Sequence, residues 1–222
     1  MALCRQGYDF EMGIGTLAIR DRVFAVTSAQ LMGYITAVGD QWACKWHIDV
    51  NGEQRTFPSD DPEYPDVWEP YAYVHHLRAD IRSWRDFDGA LFVGEDEQGR
   101  ELSVLRDETA FRLYVYEHAS VEKNRLSFAR RDGHLFDLTW TGAAAVYAGD
   151  EFYEDIPFHV QTKVQFTRVA MSLSTKARDA PAPPVAEIFA SVLDSTAFRQ
   201  LPTRESIEPS GHRTWATNFV PA

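Results

Sequence analysis

The stretch Trp42-Ala43-Cys44-Lys45-Trp46-His47-Ile48-Asp49-Val50 decides the fold class of this chain, because apolar and polar residues alternate along it. Successive side chains of a β-strand point to opposite faces of the sheet. The pattern therefore predicts a strand with one face in a core and the other in water. The core face holds Trp42, Cys44, Trp46, Ile48 and Val50, and the solvent face holds Ala43, Lys45, His47 and Asp49. The following Asn51-Gly52 dipeptide predicts a hairpin turn.

The same alternation recurs from Tyr8 to about Ala170, with frequent turn signals. Clear strands are predicted around residues 111–118, 126–128, 136–140 and 159–169. Weaker ones are predicted at 10–20, 23–28, 31–38, 71–77, 90–93 and 102–106. About ten to twelve short strands predict a mainly β chain, either an antiparallel β-sandwich or a barrel. Residues 79–86 fit a strand and a helical turn equally, so that alternative stays open.

The pattern changes near Met171 and divides the chain into three parts. Residues 1–170 are predicted to form an antiparallel β domain, and residues 171–184 a Pro-rich linker. Apolar residues at helical spacing then predict one C-terminal helix, which starts after Pro183 and Pro184 and reaches about Phe198. Residues 185–222 are thus expected to be a short helix and an extended tail that pack on the β domain.

Bulk composition limits the classes of partner. The 222 residues carry a formal net charge of −11, from 33 acids against 22 bases. Such a surface repels nucleic acid and anionic membranes and favours basic proteins or cations. The chain has no apolar run of signal-peptide length and none near the eighteen or so residues of a membrane span. The sequence therefore predicts a cytoplasmic protein that binds neither nucleic acid nor membranes.

Searches for catalytic, metal-binding and cofactor motifs find no complete signature. Gly13-Ile14-Gly15 lacks the third glycine of a dinucleotide-binding loop and reads better as a bend in a strand. Cys44 is predicted to lie in the core, where a thiol is usually inert. The pair His47 and Asp49 is interpreted as a surface hydrogen bond.

The neighbouring histidines His75 and His76 would point to opposite faces of a regular strand and could not share an ion. We therefore predict no catalytic residue, no metal site and no cofactor.

Acidic residues are concentrated in three segments that contain no Lys or Arg. These acids are Asp60, Asp61, Glu63, Asp66 and Glu69 in 58–70, Glu95, Asp96 and Glu97 in 94–99, and Asp150, Glu151, Glu154 and Asp155 in 149–155. Removing these 12 from the 33 acids leaves 21 acids against 22 bases, so the three segments account for the negative excess. Two of them also carry aromatic residues, namely Tyr64, Trp68, Phe152 and Tyr153.

Acids steer a basic surface into contact, and aromatic residues supply buried anchors in an interface. The sequence thus predicts a non-enzymatic binding protein that presents these loops to a basic protein partner, such as an immunity or inhibitor protein. Alternatively, the acidic loops only keep a β protein soluble.

Two other functions remain open. One is a small-molecule-binding β-barrel, for which the candidate contact residues are Trp46, Tyr73, Tyr114, Tyr116 and Trp140. The other is a carboxylate-dependent hydrolase, which needs two carboxyl groups across a cleft with separated pKa values.

Overall fold

The computed structural model describes residues 14–58, 66–77, 79–93, 110–115, 118–148, 151–176, 181–208, 210 and 212–222. These residues form fourteen strands and one α-helix, which confirms a mainly β fold with a C-terminal helix. The strands are β1 Gly15–Ile19, β2 Arg22–Val38, β3 Gln41–Gly52, β4 Arg55–Phe57, β5 Asp66–Trp68, β6 Tyr71–Leu77, β7 Leu91–Val93, β8 Ala110–Tyr114, β9 His118–Asp132, β10 Leu135–Ala148, β11 Glu151–Thr175, β12 Phe198–Gln200, β13 Arg204–Ile207 and β14 Arg213–Pro221. The helix α1 spans Val185–Val192.

Eight strands form a closed barrel in the order β1-β2-β3-β6-β8-β9-β10-β11, and β1 pairs with β11 to complete it. Of the two architectures predicted from the sequence, the structure is therefore the barrel. Neighbouring strands are antiparallel, with one exception at the seam. There β2 also pairs with β11 in parallel, from Gln30 beside Gln165 to Ile35 beside Met171.

The parallel pairing arises because β1 is short. β1 lies antiparallel to both β2 and β11, and beyond its first residue, Gly15, those two strands meet directly. A Cβ at Gly15 would overlap the carbonyl oxygen of Gln161 and the backbone of Thr162. The absence of a side chain at Gly15 therefore allows β1 and β11 to approach closely. Gly15 belongs to a strand, as predicted, and Gly13 lies outside the described residues.

The remaining strands extend the barrel wall. β7 pairs with β9, β14 pairs with the end of β11, and both β12 and β13 pair with β14. β4 and β5 form a separate two-stranded ribbon. The extended tail predicted after the helix thus contains strands of the same sheet.

Large apolar side chains fill the barrel. The largest that are almost fully buried include Trp46, Trp140, Phe24, Phe87, Phe136, Phe158 and Phe166. Residues 79–90 close one end, where a 3₁₀ turn at Trp84–Phe87 buries both of its aromatic residues. Of the strand and the helical turn considered for residues 79–86, the structure contains the helical turn. The ring of Trp84 lies 6.4 Å from that of His134 in the β9–β10 turn, and we call this end the plugged end.

The helix α1 packs on the sheet through Phe189, whose ring stacks on Phe219 of β14 at 3.7 Å. It ends at Val192, earlier than Phe198, because a second 3₁₀ turn at Ser195–Ala197 begins with Asp194 accepting a hydrogen bond from the Thr196 N–H. Residues 171–175 of the predicted linker belong to β11. The division into domains stays a prediction.

Several predicted boundaries are wrong for one physical reason, namely pairing with distant strands. The Asn51-Gly52 pair is not a hairpin turn, since Gly52 ends β3 and its N–H donates to the Pro70 carbonyl. The β2–β3 turn lies instead at Gly39, with a φ of +59°. The strand predicted at 159–169 extends over Glu151–Thr175, because it pairs in turn with β10, β1, β2 and β14.

Candidate functional site

The structure describes six of the sixteen predicted partner-binding side chains, namely Asp66, Trp68, Glu69, Tyr153, Glu154 and Asp155. Outside the described residues lie Asp60, Asp61, Glu63, Tyr64, Glu95, Asp96, Glu97 and Asp150. Glu151 and Phe152 are placed only as backbone positions of β11. The third acidic segment, 94–99, thus lies outside the described residues.

The described residues of the other two acidic segments contact the turn between β1 and β2. Arg22 Nη1 lies 2.8 Å from Asp66 Oδ2, which ties the first segment to this turn. The Arg20 guanidinium lies over the Tyr153 ring, 5.1 Å from its centre, which ties the other segment to the same turn. We define the acidic end of the barrel as residues 20–22, 55–58, 66–69 and 151–155. The β1–β2 turn brings two of the three predicted segments to this end.

Trp68 is a core residue, which corrects its predicted role as an interface anchor. Its side chain is 3% exposed and stacks on Phe24 at 6.1 Å. Its Nε1 donates to Asp66 Oδ1 at 2.7 Å, and the Arg22 guanidinium lies 4.0 Å from its ring centre. The β4–β5 ribbon folds over the start of β2, where Arg55 donates to the Val23 carbonyl, and this covers the indole.

The segment 149–155 also differs from the predicted loop, because Glu151–Tyr153 begin β11 and pair with the end of β10. Glu154 and Asp155 follow at a shift in the register of this pairing. Glu154 is exposed, and Asp155 lies 2.8 Å from Lys123 Nζ on β9. Both side chains of that ion pair are more than half exposed, so it stabilises the fold little. Asp155 therefore remains accessible to a partner.

Sequence reasoning missed a histidine cluster on the outer face of the barrel. Along β3 and β6 the pairing shifts between Trp46–Leu77 and Ile48–Val74, which marks a bulge in β6. His76 sits in this bulge with a φ of +60°.

As a result both neighbouring histidines lie beside His47, with ring centres 4.7 Å away for His75 and 5.1 Å for His76. The prediction that His75 and His76 face opposite ways is wrong, because the bulge makes this part of β6 an irregular strand. The His-His dipeptide was the available signal, but its meaning depends on a register that sequence alone does not give.

A row of aromatic rings continues the cluster in both directions. Tyr71, Tyr73, His75, His47 and Tyr34 follow one another, with successive ring centres 4.9, 4.3, 4.7 and 4.5 Å apart. We call these five residues the ring row. These contacts hold Tyr73, His75 and His47 each between two neighbouring rings.

Asp49 anchors this row. Its Oδ1 accepts from the Tyr71 hydroxyl at 2.5 Å and lies 3.3 Å from His75 Nε2. Its Oδ2 accepts from Gln30 Nε2. The hydrogen bond expected between His47 and Asp49 is therefore made by His75 instead. Burial, followed by the Asp49 carboxylate, raises the pKa of Tyr71, which keeps its hydroxyl a donor.

His47 has a strongly perturbed imidazole. Its pKa is lowered to about 4, first by burial and then by the neighbouring His75, His76 and Lys45, whereas Asp49 opposes the shift. Its Nε2 is buried and has no hydrogen-bond partner among the described residues. His47 is thus neutral at pH 7 and carries an unsatisfied polar atom.

The cluster does not form a metal site. Within the described ranges, no group of three or more His, Cys, Asp or Glu residues has the arrangement needed to hold an ion. The imidazoles stack on one another, whereas a metal site needs nitrogen atoms that converge. Cys44 is buried and free, and burial strongly raises the pKa of its thiol, as expected for an inert core cysteine.

The candidate ligand-contacting aromatic residues do not line one interior site. Trp46 and Trp140 are fully buried in the packed core, and Trp140 Nε1 donates to Asn124 Oδ1 at 2.8 Å. Tyr73 lies in the ring row, Tyr114 is partly exposed, and Tyr116 lies outside the described residues. Protein side chains therefore occupy the interior space around both tryptophans.

Two carboxyl groups with displaced pKa values lie elsewhere, at the C-terminal part of the chain. Hydrogen bonds from Thr196 lower the pKa of Asp194, and Arg213 lowers that of Glu205. A general acid needs a raised pKa, so neither group suits that role.

No protein-family model matches the sequence, and no match is found among curated proteins or solved structures. Helix α1, with eight residues, is too short to cross a bilayer, and no other helix in the described ranges is long and apolar enough to do so.

Proposed function

We propose that this chain is a non-enzymatic binding protein that presents its acidic end to a basic protein partner, as an immunity or inhibitor protein does. The observation that carries the proposal is the meeting of two acidic segments at the β1–β2 turn, through the Arg22–Asp66 ion pair and the Arg20–Tyr153 contact. Charges gathered at one end attract a basic surface more strongly than the same charges spread over the molecule.

The packing of this end supports the same role. Arg20 and Arg22 are each engaged with the acidic segments, so they stabilise the end from within. Glu69 and Glu154 are exposed and extend from this framework. Because the framework is built from strands and a short turn, little chain entropy would be lost when a partner binds.

Charge reversal tests the proposal. The double variant Glu69→Lys with Glu154→Lys should weaken binding of the partner purified from the native cell about tenfold or more, mainly through slower association. Surface plasmon resonance at low and high salt measures both rates. The unfolding midpoint should stay near that of the wild type, since both side chains are exposed.

The matched control is Asp40→Lys with Glu187→Lys, which changes the net charge equally but lies in the β2–β3 turn and on α1. It should leave association nearly unchanged. If both double variants weaken binding equally, the effect is one of net charge and the acidic end is not the interface.

A further inference from the structure

A second surface feature lies on the outside of the barrel, away from the acidic end. A cleft of about 400 Å³ opens between strands β2 and β3 on one side and β11 and β14 on the other. Its polar lining includes Tyr34, Lys45, His47, His76, Ser172 and Asn218. The volume falls in the range typical of small-molecule sites.

The charge of this cleft opposes that of the whole chain. Among the described residues, one lysine and two histidines line it and no Asp or Glu does, although the chain has a net charge of −11. A cleft lined by one sign of charge concentrates ions of the opposite sign. The chemistry therefore suits an anion and disfavours a cation.

His47 supplies the unsatisfied group at this site. Its buried Nε2 has no partner in the described part of the chain, and a buried polar atom without one is costly. His47 lines the cleft between Tyr34 and His76, with ring centres at 4.5 and 5.1 Å. A ligand oxygen that accepts from this imidazole would satisfy it.

We propose that this cleft binds a small organic oxyanion, a carboxylate or a phosphate ester, with Lys45 supplying positive charge and the imidazoles of His47 and His76 supplying hydrogen bonds. Hydroxyl and amide groups of Ser172 and Asn218 on the opposite wall would bind polar atoms of the same ligand. This site is independent of the acidic end and of any basic partner.

Binding should depend on pH through His47. The titratable groups that face it are Tyr34 from β2, Lys45 and Asp49 from β3, and His75 and His76 from β6. Only Asp49 among these favours the imidazolium. A bound anion adds a second favourable charge and raises the pKa of His47, so by linkage the anion binds more tightly as pH falls below neutral.

Three probes of one shape and different charge test the assignment: benzoate, benzamide and benzylamine. Nuclear magnetic resonance of the His47 imidazole should show saturable shifts with benzoate, weaker shifts with benzamide and none with benzylamine. The benzoate affinity should be at least about threefold higher at pH 5.5 than at pH 8. Phenyl phosphate is titrated alongside, and the tighter of the two anions identifies the ligand class.

Lys45→Gln removes one positive charge from the cleft and should weaken benzoate binding about fivefold. Lys176→Gln, an exposed lysine beyond the end of β11, is the matched control and should leave it unchanged. The proposal is overturned if benzamide or benzylamine binds as tightly as benzoate, or if saturating benzoate leaves the His47 signals unmoved.

Discussion

The backbone conformation of His76 determines which side chains lie on the outer face of β6. With a φ of +60° the residue interrupts the alternation of β6, and two consecutive histidines reach the same side of the sheet. Positive φ is uncommon for residues other than glycine, although histidine adopts it more readily than most. The histidine cluster therefore depends on a local conformation that neighbouring strands must stabilise.

The lowered pKa of His47 makes stability depend on pH. The unfolded chain binds a proton near pH 6.5, whereas the folded protein does so only near pH 4. Above pH 6.5 the imidazole is neutral in both states, so it does not reduce the free energy of unfolding. As the pH falls from 6.5 towards 4, this free energy decreases by about 1 kcal/mol, after allowance for solvent screening. Urea unfolding of the wild type and His47→Gln at pH 7.5 and 4.5 measures this loss. The variant should show the smaller decrease, and equal decreases would contradict the role of His47.

For single residues, the sequence predicted which side chains are buried better than it predicted which residues they contact. Alternation correctly placed Cys44, Trp46 and Ile48 inside and His47 outside, because face assignment needs only the period of the strand. It gave the wrong environment for Trp68, since that burial depends on contact with Phe24, forty-four positions earlier. A contact of this kind leaves no local pattern in the sequence.

Among the elements, the short turn at Trp84–Phe87 packs against core residues of several strands. Phe87 is fully buried, and its ring lies 5.1 Å from that of Trp46 and 5.2 Å from that of Phe128. The buried Ser83 caps the turn by accepting from the Arg85 N–H. The turn thus joins strands from two sides of the barrel at the plugged end.

Truncation of the Phe87 side chain should strongly destabilise the fold. Phe87→Ala leaves a cavity between Trp46 and Phe128 and should lower the free energy of unfolding by about 3–5 kcal/mol. Ser83→Ala, which removes only the cap, should cost about 1 kcal/mol. Leu91→Ala, at a side chain 48% exposed, should change it by less than about 0.5 kcal/mol. Urea denaturation checks this order, and a Phe87→Ala effect as small as that of Leu91→Ala would show that the turn is not part of the core.

Strand existence was predictable, whereas strand length and pairing were not. The alternation in β3 and β10 is local, so both strands were found. β11 continues to Thr175 because β14 covers its end, and the residues of β14 carry no strong alternation. Asn51-Gly52 has ideal turn chemistry, but the Gly52 N–H is instead used by Pro70.

The whole molecule has three surfaces of different chemistry. The acidic end carries exposed carboxylates, and the opposite end is closed by apolar packing. The outer wall presents the ring row and a cleft whose described lining residues include no acid. The partner prediction rested on charge counts, which are a property of the whole chain. The cleft could not be predicted in this way, because its basic groups come from β3 and β6 and its far wall from β11 and β14.

Stability should differ between the closed barrel and its extension. All four residues of β13 are exposed and pair only with β14, whereas β10 is paired on both sides. Amides of β13 should therefore exchange with deuterium at least about 100-fold faster than those of β10. Mass spectrometry of peptides covering 204–207 and 135–148 measures the difference. Equal protection would show that the extension and the barrel open as one unit.

The seam formed by β1, β2 and β11 bears on synthesis of the chain. As the ribosome releases the polypeptide from its N-terminus, the early strands have no partner on one side until Glu151–Thr175 emerge. Until then, the surface that will hold Leu17, Phe24 and Leu31 is open to water and to other nascent chains. The final closure is one long-range step between the two ends of the barrel sequence, and such steps are slow. Protection from aggregation is thus needed most in the interval before β11 is complete.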